Sequence, residues 1–181
     1  MKLLILIVLF FSIHAHGKDV FPKTLSLNNT KLVKNGEGPR AVDTFFGSVD
    51  VYTAALYVSK KETNGQKILD SSEPKVLKMY YHHDAPKHKI ISAWQESFKK
   101  QCGDCKDTKA EIKKFLASET DCASKTLRTL QFSNDKMVVL HNKKNIFEST
   151  NPKFAKMVLT TWLGTSPPTA ALKKKLLGQG T

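Results

Sequence analysis

GEGPRAVDTFFGSVDVYTAALYV, residues 36–58, is the stretch that decides how the rest of the chain is read. Phe45, Phe46, Val49, Val51, Tyr52, Tyr57 and Val58 supply the density of aromatic and β-branched residues that suits pleated, half-buried strands. Two strands joined near Gly47 and Ser48 is the simplest arrangement. Alternation through such a turn puts Arg40, Asp50 and Tyr52 on one parity, so that a cation, a carboxylate and a phenol share a face. The alternative is that Arg40 ends a strand and points into water.

Working outward, Lys18 to Asn35 reads as one or two opening strands with Asn28-Asn29 as a turn. Asn28-Asn29-Thr30 is also an N-x-T sequon, meaningful only in a host that glycosylates exported chains. Asn64-Gly65 breaks the chain ahead of a short helix around Gln66 to Leu69, and Val76 to His82 reads as a strand apolar enough for the inside of a sheet. Asp84 with Pro86 starts a helix whose buried stripe is Ile90, Ile91, Trp94 and Phe98, forming core or the floor of a pocket. His82, His83, Asp84 and His88 suit a metal by chemistry, but their spacing matches no ligand motif, so no metal site is expected.

Cys102-Gly-Asp-Cys105 and Cys122 leave three options open: a redox motif, half of a zinc site, or structural pairing. The C-x-x-C follows a helix instead of opening one in a βαβ unit, and Lys106 after Cys105 excludes haem attachment. In an oxidising compartment the expected bond joins Cys122 to Cys102 or Cys105. It closes a loop of about 20 residues and is worth on the order of 3 kcal/mol in the chain-entropy model. Thr108-Lys-Ala-Glu111 has the form of a capping box for the next helix, with Ile112, Phe115 and Leu116 on its apolar side.

Thr126 to Phe132, Met137 to Leu140 and Asn145 to Phe147 read as three short strands in consecutive hairpins. Asn151-Pro152 caps a helix with Val158, Leu159 and Trp162 on its stripe, ended by Gly164, and Ser166-Pro167-Pro168 leads into a last helix through Leu177. Strands with hairpin turns, and helices in the middle and at the end, predict an α+β fold: an open-faced β-sandwich in which helices cover one face of an antiparallel sheet.

At the N-terminus, Lys2, an apolar run from Leu3 to Ile13, and Ala15 and Gly17 before Lys18-Asp19 have the form of a secretory signal peptide over residues 1–17. The run is shorter than the roughly 20 apolar residues a membrane span needs. Residues 18–181 then form one domain of the exported, periplasmic protein. Lys2 is the one ionisable residue lost other than His, so the formal charge of +13 falls only to +12. The cations after it are scattered lysines, with Arg40 and Arg128 as the two arginines. This usage suits a solvated surface better than bidentate phosphate recognition. The expected partners exclude nucleic acid and include weak attraction to an anionic membrane surface. The chain is expected to be a monomer.

The ordered set Gly36-x-Gly-x-Arg40, Val51-Tyr52-x-x-x-Leu56-Tyr57-Val58, Lys89-Ile-Ile-Ser-Ala-Trp94 with Phe98, Phe154 to Gly164 and Leu172 to Gly178 resembles the chalcone isomerase superfamily. More closely it resembles the secreted bacterial branch named chalcone isomerase-like. The resemblance implies a ligand cleft between sheet and helices, with Arg40 as the arginine that in chalcone isomerases stabilises the developing enolate. It places the family's active-site threonine on Tyr52 and its C-terminal hydroxyl residue on Thr161, beside Trp162. The family's tyrosine and asparagine fall near Pro86 and on Ala93, so neither is retained.

The expected ligand-binding residues are therefore Arg40, Tyr52, Thr161 and Trp162, with no confident catalytic residue and no cofactor. The leading expectation is a binding protein for a small apolar or anionic ligand, such as a fatty-acid-like acid or an enone. One alternative is an isomerase or intramolecular lyase acting on an unsaturated carbonyl compound. A structural or interaction protein, with Arg40 paired internally to a residue such as Asp50, is another.

Overall fold

The computed structural model describes residues 19–45, 47–102, 105–133 and 136–180. The expected signal peptide lies outside them. Among the described residues, seven strands form one antiparallel meander in chain order: β1 (Thr24–Leu27), β2 (Thr30–Thr44), β3 (Gly47–Val58), β4 (Lys75–Tyr81), β5 (Leu127–Ser133), β6 (Lys136–His141) and β7 (Lys144–Ser149). Five α-helices among the described residues interrupt or follow them: α1 (Gly65–Asp70), α2 (Lys87–Cys102), α3 (Lys109–Ser118), α4 (Pro152–Leu163) and α5 (Ala170–Leu176). The expected α+β class is the class observed, with each strand predicted from alternation present.

Alternation explains how the faces are used. Ala54, Leu56 and Val58 of β3, Leu77 and Met79 of β4, and Leu130 and Phe132 of β5 share the main core with the helices. The opposite parity carries a smaller cluster of Phe21, Leu32, Ala55, Tyr57 and Val76, closed by the N-terminal Val20-Phe21 segment. Among the described residues, no helix is long and apolar enough to cross a membrane.

The helix ends test the capping signals one by one. Asn64 and Asn151 cap α1 and α4 through their side-chain oxygens, and Thr169 caps α5 in the same way. Thr108 makes no such bond; its hydroxyl donates to the Cys105 carbonyl, so the expected capping box is not formed. The first turn of α2 is held instead from across the chain, the Lys87 N–H donating to Asp121 Oδ1 at 2.6 Å.

The two glycines of the Gly-x-Gly-x-Arg motif have one steric purpose. Gly36 and Gly38 pair with Leu56 and Ala54, both buried on the helix face, and α5 lies directly on that part of β2. A Cβ on Gly36 would sit 2.0 Å from the Lys175 carbonyl oxygen, and one on Gly38 2.6 Å from the Lys175 side chain. The Asn35 amide secures the same contact by donating to the Leu176 carbonyl at 2.9 Å. A methyl group at Gly36 meets backbone, which cannot rotate away. Gly36→Ala is therefore expected to cost about 3 kcal/mol or more in urea unfolding, and to loosen α5 as read by hydrogen exchange.

The two strands of the long hairpin meet at Thr44 and Gly47, near the expected connection, but one expectation about its faces is corrected. The register shifts beside Arg40: Arg40 faces Tyr52, Ala41 faces Asp50, and Val51 is the extra residue of a bulge. A bulge reverses the parity beyond it, so Val51 and Val42, not Asp50, accompany Tyr52 and Arg40 on the cleft side.

Candidate functional site

A cleft of about 500 Å³ lies between the sheet and the helical layer, a volume in the ordinary range for small-molecule sites. Each contributing element reaches it for a reason readable in its pattern. Arg40 is the next helix-facing residue of β2 after the two glycines that α5 covers, and it lines the cleft instead. Tyr52 stands opposite it on β3, with the Arg40 guanidinium carbon 5.8 Å from the phenol centroid. Trp94, on the buried stripe of α2, packs edge-on against Trp162 of α4, their centroids 5.4 Å apart.

Arg40 is half-buried, and among the described residues no carboxylate forms an ion pair with it. The internal partner expected in the structural alternative, Asp50, is exposed and does not line the cleft. Glu96, at the rim, is bonded to Lys100 at 2.7 Å. That bond, with a smaller contribution from Arg40, holds its carboxyl below the usual range.

Tyr52 Oη accepts the Trp162 indole N–H at 3.0 Å. Burial raises the phenol's pKa, and the opposing effects of the Trp162 bond and the Arg40 charge do not reverse it. Tyr52 therefore keeps its proton, which it can offer to an acceptor in the cleft beside a guanidinium that is always charged. Tyr52→Phe removes the acceptor and leaves a buried indole N–H unsatisfied. The expected loss is about 1–3 kcal/mol in urea unfolding, against no comparable loss for an exposed control such as Thr24→Ala.

Across the cleft, Thr161 Oγ1 lies 2.9 Å from Ser97 Oγ and accepts from Gln101 Nε2 at 3.2 Å, tying α4 to α2. The structure thus brings Arg40, Tyr52, Thr161 and Trp162 to one cleft. Pro86 and Ala93, where the resemblance puts the family's tyrosine and asparagine, also line it. Those positions offer the cleft a ring and a methyl in place of a phenol and an amide.

The deep end holds Arg128, which cation usage along the chain groups with a solvated surface and which the fold buries. Arg128 on β5 is 2% exposed and pairs with Glu119, 1% exposed, whose other oxygen accepts the Trp94 indole N–H at 2.9 Å. Arg128 also reaches Cys122 Sγ at 3.2 Å. The signal was present: Arg128 falls on the same parity as Leu130 and Phe132, so an arginine occupies a buried position in an otherwise apolar stripe.

Two members of the His82, His83, Asp84 and His88 group have structural partners. His82 Nε2 lies 2.8 Å from Thr53 Oγ1, and the neighbouring Asp84 accepts the Ser124 N–H at 2.7 Å. Among the described residues no group of three or more His, Cys, Asp or Glu is placed to hold a metal.

The expected pairing of Cys122 is corrected. The disulfide joins Cys102 to Cys105, Cα atoms 4.9 Å apart, and Cys122 is free and buried. The cause is location: an antiparallel bridge between Ala85 and Cys122 fixes Cys122 under the cleft floor against Arg128, while Cys102 ends α2. The chain-entropy model gives a four-residue ring about 2 kcal/mol, less than the 3 expected of the longer loop.

The family model for chalcone isomerase-like proteins matches residues 16–178, and the chain belongs to that family. Its fold is similar to that of a fatty-acid binding protein from Arabidopsis thaliana, known from a crystal structure. The TM-score is 0.69 at 13% identity, over 87% of this chain and 90% of that one. At this identity the likeness is one of fold. No curated protein matches the sequence.

Proposed function

We propose that this is an exported ligand-binding protein that holds a fatty-acid-like amphipathic acid in the sheet-helix cleft, with Arg40 receiving the carboxylate. The observation that carries this reading is the Arg40 guanidinium without a carboxylate partner among the described residues, at an apolar cleft and next to a protonated phenol. A charge-assisted pair with an incoming carboxylate satisfies it, Tyr52 adds a neutral hydrogen bond, and the aromatic interior takes the alkyl chain. The fatty-acid binding by a protein of similar fold supports the same ligand class. Pro86 and Ala93 in the cleft wall weigh against an isomerase, since neither side chain can hold or protonate an enone.

Competition against a fluorescent acyl probe tests this. Dodecanoate is expected to displace the probe with one site per chain, and dodecanol at least about tenfold more weakly, because the alcohol brings no charge to Arg40. Equal displacement by the two would remove Arg40 from the reading. Burial keeps the Tyr52 phenol protonated, so affinity should stay level from about pH 6 to 9. It should fall below about pH 5 as the ligand's own carboxylate is protonated.

A further inference from the structure

The deep wall of the cleft is not uniformly apolar. Phe115, Leu130 and Val139 line it, and so do Tyr81, Glu119 and Arg128. The Nη groups of Arg128 have partners: Glu119 at Nη1, and around Nη2 the Thr120 carbonyl at 3.4 Å, Cys122 Sγ at 3.2 Å and His141 Nδ1 at 3.3 Å. Its Nε–H is buried and has no hydrogen-bond partner among the described residues. A buried donor left unpaired is costly, and folded proteins keep few of them.

The neighbouring polar groups are already committed. Glu119 takes the Trp94 indole N–H as well as the guanidinium, and Tyr81, kept protonated by burial, bonds to Cys122. Because Glu119 balances the Arg128 charge, Nε lacks an acceptor and not a counter-ion. A second carboxylate there would stand beside Glu119 in a site shielded from water, which like charges disfavour. A carbonyl oxygen brings no charge, and it adds no donor of its own to be satisfied among Phe115, Leu130 and Val139.

Sheet register sets where on a ligand that oxygen belongs. Arg40, Tyr52 and Tyr81 face one another across β2, β3 and β4, while Arg128 lies on β5 opposite Met79, two residues from Tyr81. Three strand spacings, about 14 Å, separate the strands that carry the two arginines. A chain held by its carboxylate at Arg40 therefore brings its distal part to Arg128, and not its head.

Resting on the reading that Arg40 receives the carboxylate, we infer that the ligand is an oxo acid whose distal ketone oxygen accepts from Arg128 Nε–H. The cleft then selects by two polar anchors, a charged one at the head and a neutral one in the tail, with apolar wall between them.

The test is competition against the fluorescent acyl probe with dodecanoate and with three oxododecanoates, their ketones near the head, at mid-chain or near the methyl end. The best of the mid-chain and methyl-end ketones is expected to bind about tenfold tighter than dodecanoate, and the near-head ketone no tighter. The infrared stretch of an isotope-labelled ketone in that best ligand should move to lower wavenumber on binding than in an apolar solvent. Glu119→Leu with Arg128→Met, which removes the donor together with its counter-charge, should abolish both the preference and the infrared shift. Equal affinity of the wild type for all four acids, a largest gain for the near-head ketone, or an unshifted stretch would overturn this inference while leaving the Arg40 reading in place. Failure of every acid, dodecanoate included, to displace the probe would overturn both.

Discussion

Glu119→Ala is expected to destabilise the protein by about 3–5 kcal/mol in urea unfolding, because it leaves the Arg128 charge buried and uncompensated. Arg128 is 2% exposed, and its Glu119 partner also accepts the Trp94 N–H, so one substitution orphans a guanidinium and an indole together. The size of the loss reports mainly the cost of the orphaned charge and not the net worth of the pair. Glu119→Leu combined with Arg128→Met is therefore expected to recover most of it, since an apolar pair of similar volume carries no desolvation cost. A double variant no more stable than Glu119→Ala would mean that the Trp94 bond, and not the ion pair, holds this end of the cleft together.

Arg40→Ala is expected to weaken binding of a long-chain carboxylate by roughly 10- to 100-fold, the equivalent of losing a hydrogen bond to a charged group worth about 1.5–3 kcal/mol. Stability should change little, because Arg40 has no ion pair among the described residues and is half-buried. Arg40→Lys should restore part of the affinity: the charge returns, but the planar fork that can meet both carboxylate oxygens does not. The measurement is a calorimetric titration with dodecanoate beside a urea denaturation curve of each variant. A parallel fall in affinity and stability would recast Arg40 as a structural residue.

Much of this arrangement is legible along the chain, and the failures have identifiable physical causes. Alternation in residues 36–58 is sufficient to put Arg40 and Tyr52 on one face, because a strand's side chains obey a period of two until something breaks it. The bulge at Val51 breaks it, and no residue type announces a bulge there, so alternation alone puts Asp50 on the wrong face. The glycines at 36 and 38 are readable as a motif, while their purpose becomes visible only once Lys175, well over a hundred residues away, is seen against them. Cysteine pairing is the clearest limit. An oxidising compartment predicts a structural bond but does not choose among three cysteines; the choice depends on where α2 ends and where the Ala85–Cys122 bridge holds the third thiol. Arg128 was readable from parity alone; Glu119, at a helix end with no periodic signal, was not.

The central claim is that Arg40 holds an acid in the cleft. Its most direct test is native mass spectrometry of the protein purified from an exporting host, wild type beside Arg40→Ala, with solvent extraction to identify any bound compound. The account predicts a copurifying amphipathic carboxylic acid on the wild type and its loss from the variant. The same bound mass on both proteins, or a bound compound that carries no acid group, would contradict it.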